Sequence, residues 1–221
     1  MWVQRAGERF RGGDDAGVDT RHAFSFSGFY DPDNVRFGLL VACNEERLAP
    51  GAGFAEHPHR DVEIVTWVVA GELTHEDSTG RRTVVRPGDL QRLSAGRGVR
   101  HTERNTGSEP LRFVQMWLSP AEFGGEPEYE VVRRLPEAAP YPLPRADAVL
   151  HVHRPAAGQR TPLPAAPWVY AHVVRGTVDI AGERLGPGDA ARVADAAGLD
   201  AEAVGAAEFL VWEMASEPVY G

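Results

Sequence analysis

The chain has 221 residues, 43% hydrophobic and 25% charged, the balance of a globular protein long enough to bury a substantial core. Its formal charge of −9 opposes attachment to nucleic acid or an anionic membrane, and no apolar run approaches the ~20 residues of a membrane span. The single cysteine, Cys43, excludes an internal disulfide, and the opening MWVQRAGERFRGGDDAG lacks the apolar core of a signal peptide, so a cytoplasmic location is expected.

Residues 1–22, rich in Gly, Arg and Asp, read as an arm with little regular structure. Residues 23–26 suit a short strand and Tyr30-Asp31-Pro32-Asp33 a turn, with Phe24, Phe26, Phe29 and Tyr30 assigned to a core. Residues 35–42 read as a strand, in whose apolar run Cys43 is a buried structural thiol. A loop over 45–53 then leads to His57-Pro58-His59.

The stretch 62–70 is dense in β-branched and aromatic residues, as a buried strand should be. Gly71 breaks it, 72–75 starts a partner strand, Asp77-Ser78-Thr79-Gly80 turns, and 82–85 resumes the sheet. Pro87-Gly88-Asp89 has the order of a type II turn. Strands at 90–94, 99–104 and 111–118 follow, the second carrying His101-Thr102-Glu103. Strands recurring every 8–12 residues between turn signals predict an all-β sandwich or barrel. The proline-rich and acidic segment 119–145 reads as a linker, with a short helix over 120–123.

The second half echoes the first. Gly186-Pro187-Gly188-Asp189 repeats Arg86-Pro87-Gly88-Asp89 100 positions on, and the run ending at Gly176 repeats the run ending at Gly71 105 positions on. An internal repeat of a β-barrel unit is the simplest account. These offsets place Pro162 and Pro164 at the positions of His57 and His59, Trp168 at Glu63, and Ala201 and Ala203 at His101 and Glu103. One metal site per chain is therefore expected.

That site rests on spacing. Residues i and i+2 of a strand point to one face, ~6.5–7 Å apart, so His57/His59 and His101/Glu103 can each aim two ligand groups at one point. Three imidazoles and one carboxylate suit a divalent transition metal with open positions, Fe(II) first, with Mn, Ni, Co, Cu or Zn also admissible. With neutral histidines the occupied site carries about +1, which favours an anionic oxygen donor and lowers the pKa of a bound hydroxyl. His151-Val152-His153 has the same spacing but no HxE downstream, and reads as an exposed or edge-strand pair. His75 reads as a structural or ligand-supporting histidine and Glu63 at most as a supporting group, while His22 and His172 show no partner. Val65, Trp67, Gln115 and Trp117 are pocket-lining candidates by strand position.

At His57-Pro58-His59-Arg60, GELTHEDSTG (71–80), RPGDLQRLSAGRGVRHTE (86–103) and Met116-Trp117-Leu118-Ser119-Pro120, the sequence resembles the pirin family of the cupin superfamily. The segment RHAFSFSGFYDP resembles its bacterial quercetinase-like branch. The resemblance covers about residues 20–135 strongly and the rest only through the repeat. It implies a bicupin of two antiparallel jelly-roll barrels with short helical excursions. The N-terminal barrel, over 1–136 with its arm, would hold one metal, usually iron, on His57, His59, His101 and Glu103; the degenerate barrel over 137–221 would hold none. It also implies a quercetin 2,3-dioxygenase activity, oxygen-dependent cleavage of a flavonol with release of carbon monoxide, with Glu103 as the base. A monomeric chain is expected. There are departures. The glutamate follows the last histidine, as in pirins, where the usual cupin pattern has it in the first motif. Asp61-Val62 follows HPHR where many pirins have Gly-Phe, as quercetinase-like relatives often do in similar form, and the second half is short around 140–165. Other pirins imply a second reading, a redox- or metal-sensing regulator that binds a protein partner; a purely structural metal is a third.

Overall fold

A computed structural model describes residues 1–137 and 139–218. In chain order its first strands are β1 (Trp2–Gln4), β2 (Phe10–Asp14), β3 (Val18–His22), β4 (Leu40–Leu48), β5 (Gly53–His59), β6 (Glu63–Ala70), β7 (Leu73–Asp77), β8 (Arg82–Val85), β9 (Leu90–Ser94), β10 (Val99–Asn105), β11 (Leu111–Leu118) and β12 (Glu128–Val132). They are followed by β13 (Tyr141–Pro142), β14 (Ala148–His153), β15 (Arg160–Pro162), β16 (Trp168–Arg175), β17 (Val178–Ile180), β18 (Glu183–Leu185), β19 (Ala190–Ala194), β20 (Asp200–Ala203) and β21 (Glu208–Met214).

The chain forms two compact units, one of Phe10–Arg36 with Leu40–Leu135, the other of Met1–Arg9, Phe37–Leu39 and Pro136 onward. In the first, a seven-stranded sheet (β12-β9-β6-β11-β4-β3-β2) is closed by a four-stranded one (β5-β10-β7-β8). Val68, Leu111 and Phe113 from the large sheet pack on Leu73 and Val85 from the small one. The second unit repeats this with β1-β19-β16-β21-β14-β13 and β15-β20-β17-β18, around Val169, Ala171, Val211, Ile180 and Ala201. Each fully buried aliphatic or aromatic side chain contributes about 1.5–3 kcal/mol, so both barrels are held chiefly by the alternate residues that face inward.

The repeat is visible in the turns. Gly71 and Gly176 have φ of +75° and +73°, and each passes close to the next strand: a Cβ would lie 2.8 Å from Leu111 Cα in one case and 2.3 Å from Ala206 O in the other. Gly88 and Gly188 both take φ +86°, and Asp89 N–H and Asp189 N–H close the two turns onto Arg86 O and Gly186 O, as a type II turn requires. The two aspartates then do the same job. Asp89 accepts from Arg133 Nη1 (2.6 Å) and Arg134 N–H (3.0 Å), Asp189 from Arg5 Nη1 (3.2 Å) and Ala6 N–H (2.8 Å).

Several expected elements differ. The opening residues are not an unstructured arm: β1 pairs with β19, and β2 and β3 extend the large sheet beside β4. The partner of β1 lies far along the chain, beyond the reach of local pattern, and β3 is fixed by β4 more than 20 residues on. Residues 23–26 form no strand; Phe26 and Phe29 pair only through an isolated bridge. The strand expected over 35–42 begins at Leu40 and runs through the expected loop to Leu48, because β3 and β11 pair with it on both sides. The segment 120–123 is not helical, and the only helical turn among the described residues is a 3-10 turn at Ala6–Glu8. The linker contains β12, which pairs with β9. Cys43 is fully buried, as expected.

Candidate metal centre

The site is built where β5 and β10 pair. His101 stands opposite His57, and Val99 opposite His59. β5 is the edge of its sheet, which is why Pro58, lacking an N–H, is tolerated between the two histidines. A bulge follows His101 and brings Glu103 opposite Phe54. Gly53 is needed there: a Cβ on it would lie 2.4 Å from Glu103 O and 2.7 Å from Arg104 Cα. Along β10 the buried residues Val99, His101, Glu103 and Asn105 alternate with exposed Arg100 and Arg104, so His101 and Glu103 share the inner face.

The ligand atoms of His57, His59 and His101 lie within 4.8 Å of one another, and a second group of the same size joins His75, His101 and Glu103. The four sequence candidates are thus brought together around His101, with His75 as an addition. His57 Nδ1 donates to Ala55 O at 2.8 Å, because a carbonyl can only accept. Its Nε2, the lone-pair atom, faces His101 Nε2 at 3.0 Å. His101 Nδ1 faces His75 Nδ1 at 3.2 Å, and a proton on His101 Nδ1 leaves both Nε2 atoms as lone pairs facing each other. His59 Nε2 is buried without a hydrogen-bond partner. Lone pairs converging on one another and an orphaned buried nitrogen are what a bound cation would satisfy. The residues therefore fit a divalent metal.

Burial, reinforced by the neighbouring rings, lowers His59 to about 4, and burial lowers His101 to about 4 against the pull of Glu103. Burial likewise lowers His75. These rings are neutral near pH 7, the state in which an imidazole binds a metal. Burial would raise the Glu103 carboxyl, yet the His101 ring and the Gln115 amide hold it below its ordinary value.

Glu103 is clamped. Gln91 Nε2 donates to Oε1 at 3.1 Å and Gln115 Nε2 to Oε2 at 2.8 Å. Each amide is held from behind, Gln91 Oε1 by Tyr129 O–H (3.0 Å) and Gln115 Oε1 by Trp117 Nε1–H (3.0 Å). Indole N–H can only donate, and burial holds the Tyr129 hydroxyl protonated, so the amide nitrogens must face the carboxylate. Gln91, Thr66 and Gln115 stand in one cross-strand row on β9, β6 and β11. Tyr129 also stacks on His75, at 4.4 Å between centroids. Gln91 and Tyr129 carry no local signal of this role: β9 reads LQRLS, with Arg92 and Ser94 as polar as Gln91.

Other expectations divide. Val65 and Trp67 pair with Met116 and Val114 and so lie on the opposite face from Gln115 and Trp117, which are the two of the four that face the site. Glu63 is buried and accepts from Ser94 Oγ at 2.5 Å; it joins neither histidine group. His151 faces Glu213 at 2.9 Å and His153 is buried, so the pair is not exposed; along it β14 pairs with β21 on one side, β13 reaching only Val149 and Leu150. His22 and His172 have partners after all, Asn44 Oδ1 at 3.0 Å and Arg9 Nη2 at 2.8 Å.

The second barrel is the internal control. Ala201 and Ala203 are buried on β20, at the positions of His101 and Glu103 on β10. Ala201 faces Thr161, so the counterpart of His57 is Thr161 and not Pro162; the turn before β16 is one residue longer than that before β6. Ala171, Ala191 and Val211, which correspond to Thr66, Gln91 and Gln115, are all buried in an apolar core. Ligands and clamp are replaced together.

Two antiparallel barrels of one design, with histidines converging inside the first, define a bicupin. The Pirin family model matches residues 4–118, and the chain belongs to the pirin family. A model described as the quercetinase C-terminal cupin domain matches residues 145–214. A Mycobacterium tuberculosis protein named "Putative quercetin 2,3-dioxygenase" is 40% identical over 215 residues, 89% of this chain and 88% of that one. The quercetin 2,3-dioxygenase of Escherichia coli K12 is 40% identical over 131 residues, 59% of this chain and 56% of its own. The nickel(II) complex of the bacterial pirin YhhW from Escherichia coli superposes with a TM-score of 0.90 at 30% identity, covering 97% of this chain and 99% of that one. No helix among the described residues is long and apolar enough to cross a membrane.

Proposed function

We propose that the protein is a metal-dependent dioxygenase that cleaves flavonols in the manner of a quercetin 2,3-dioxygenase, with one divalent cation, Fe(II) by preference, on His57, His59, His101 and Glu103 of its N-terminal barrel. The observation that carries this reading is the meeting of imidazoles with a buried carboxylate that the His101 ring and the Gln115 amide hold below its ordinary value. A bound divalent metal would supply a Lewis acid that lowers the pKa of a flavonol hydroxyl and a redox-active centre for dioxygen.

The chain's residues have distinct tasks. Each Glu103 oxygen accepts one amide N–H and retains a second lone pair, so the carboxylate can take the proton of the 3-hydroxyl while remaining a ligand. Gln91 and Gln115 fix where that proton acceptor sits. His57 and His101 present Nε2 because Ala55 O and His75 occupy their Nδ1 atoms. The second barrel, with Thr161 at the position of His57 and alanine or valine at the positions of His101, Glu103, Thr66, Gln91 and Gln115, offers no metal-binding set there. The family and the formal charge of −9 support a small-molecule substrate over a nucleic acid.

Oxygen uptake on adding quercetin, measured on iron-loaded wild type and Glu103→Ala, tests the proposal. Uptake that requires both metal and Glu103 is expected. Bound metal without uptake in the wild type would overturn it in favour of the regulatory reading, in which the metal's redox state governs a protein partner.

A further inference from the structure

The first barrel is open along one seam. Its large sheet ends at β2 and its small sheet begins at β5, and between them lies a cavity of about 520 Å³, a volume within the range of small-molecule sites. Its wall includes Phe26, Phe29 and Phe54, with Thr20 and His22 inside and Arg11 at the rim. All three phenylalanines are only half-buried, whereas Thr20 and His22 are buried, so the protein leaves aromatic surface uncovered here while packing the polar groups behind it. Such half-covered rings have a free-energy gain still to make by covering that surface.

The cavity adjoins the histidines. Phe54 sets its edge against His57 at 6.3 Å. Phe26 sets its edge against Trp117 at 4.9 Å, and Trp117 against His59 at 4.9 Å. One wall of the cavity is thus one ring from His57, another two rings from His59. Behind it, Thr20 donates to the buried Glu46 at 2.5 Å. The exposed guanidinium of Arg11 supplies a donor that suits phenolic oxygens.

We propose that this seam cavity binds the planar aromatic body of a polyphenol, the part remote from the reacting hydroxyl, against Phe26, Phe29 and Phe54. The direction of the reacting hydroxyl rests on the dioxygenase reading; the aromatic site itself does not. Selectivity for planar rings then resides in the β2–β3 hairpin and the Ser25–Phe29 turn, segments distinct from the ligand strands, together with Phe54 at the start of β5, the strand that carries His57 and His59.

The test uses flavone, which lacks the metal-binding 3-hydroxyl, titrated into nickel-loaded and metal-free protein and followed by fluorescence quenching. Two variants change the cavity from opposite directions. Phe29→Ala removes a wall, and Gly28→Trp fills the mouth from a position where a Cβ meets nothing within 4 Å. Flavone should bind wild type with or without metal, and about 10-fold more weakly in each variant, the loss expected for one aromatic contact, with bound nickel unchanged. Flavone that fails to bind wild type, or that binds both variants as tightly, overturns the proposal. The two readings fail separately. Flavone binding without quercetin-dependent oxygen uptake removes only the dioxygenase; uptake with an unaltered KM in both variants removes only the cavity.

Discussion

Gln115 Nε2 lies 2.8 Å from Glu103 Oε2, while Trp117 Nε1–H holds the other end of the same amide at 3.0 Å. The glutamine is therefore a fixed donor to a buried anion, and a hydrogen bond to a charged group is worth about 1.5–3 kcal/mol. Gln115→Leu should lower metal affinity about 10–100-fold, read by chelator competition. Trp117→Phe, which frees the amide without removing it, should have a smaller effect in the same direction. Equal affinity in wild type and Gln115→Leu would contradict the clamp.

Gly53 is where β5 crosses the bulge of β10. A Cβ there meets main chain at 2.4 and 2.7 Å, which no side-chain rotation relieves. Gly53→Ala should cost about 2–3 kcal/mol of stability and separate His57 and His59 from His101, so that metal content after purification falls well below one per chain. Circular dichroism melts and elemental analysis check both parts.

The pH dependence of the metal-free protein has two arms. His59 and His101 are lowered to about 4 from 6.5, so their contribution is present above pH 6.5 and is lost as the pH falls through 4. Glu46 is raised to about 8 from 4.5, by burial first; its contribution is present below pH 4.5 and is lost as the pH rises through 8. Between pH 6.5 and 8 the Glu46 arm should cost about 1–2 kcal/mol. Denaturant melts at the two pH values should show this loss in wild type and its disappearance in Glu46→Gln.

Asp189 ties the N-terminal strand to the second unit through Arg5 and Ala6, as Asp89 ties Arg133 and Arg134 in the first. Asp189→Ala should leave the Gly186 and Ala6 N–H groups without their acceptor, at about 1–3 kcal/mol. Metal affinity should not change, because no ligand or clamp residue contacts Asp189. A loss of bound metal in Asp189→Ala would show that the two repeats do not act separately.

Much of the frame could be read locally. The β-branched run of β6, the two Pro-Gly-Asp turns and the glycines after β6 and β16 depend on nearest-neighbour chemistry, and they specified the repeat before any contact was known. The ligand pairs were legible for the same reason: a period of two fixes His57 with His59 and His101 with Glu103 on one face. The face of Val65 and Trp67 was not legible, because parity carries across a hairpin only once its register is known. The same holds for the one-residue shift that makes Thr161, and not Pro162, the partner of Ala201.

What the sequence determined by itself is the barrel repeat, the four candidate ligands and the barrel that lacks them, since each is written in turn chemistry or strand alternation. Only the tertiary structure decided that the first 22 residues are strands, that Gln91 and Gln115 grip Glu103, that His75 stands behind His101 and that three phenylalanines line an open seam. Among those relationships, the grip on Glu103 joins residues 12 positions apart and β1 with β19 residues more than 180 positions apart. Hydrogen-bond geometry and shared burial create them, and neither exists until the sheets have closed.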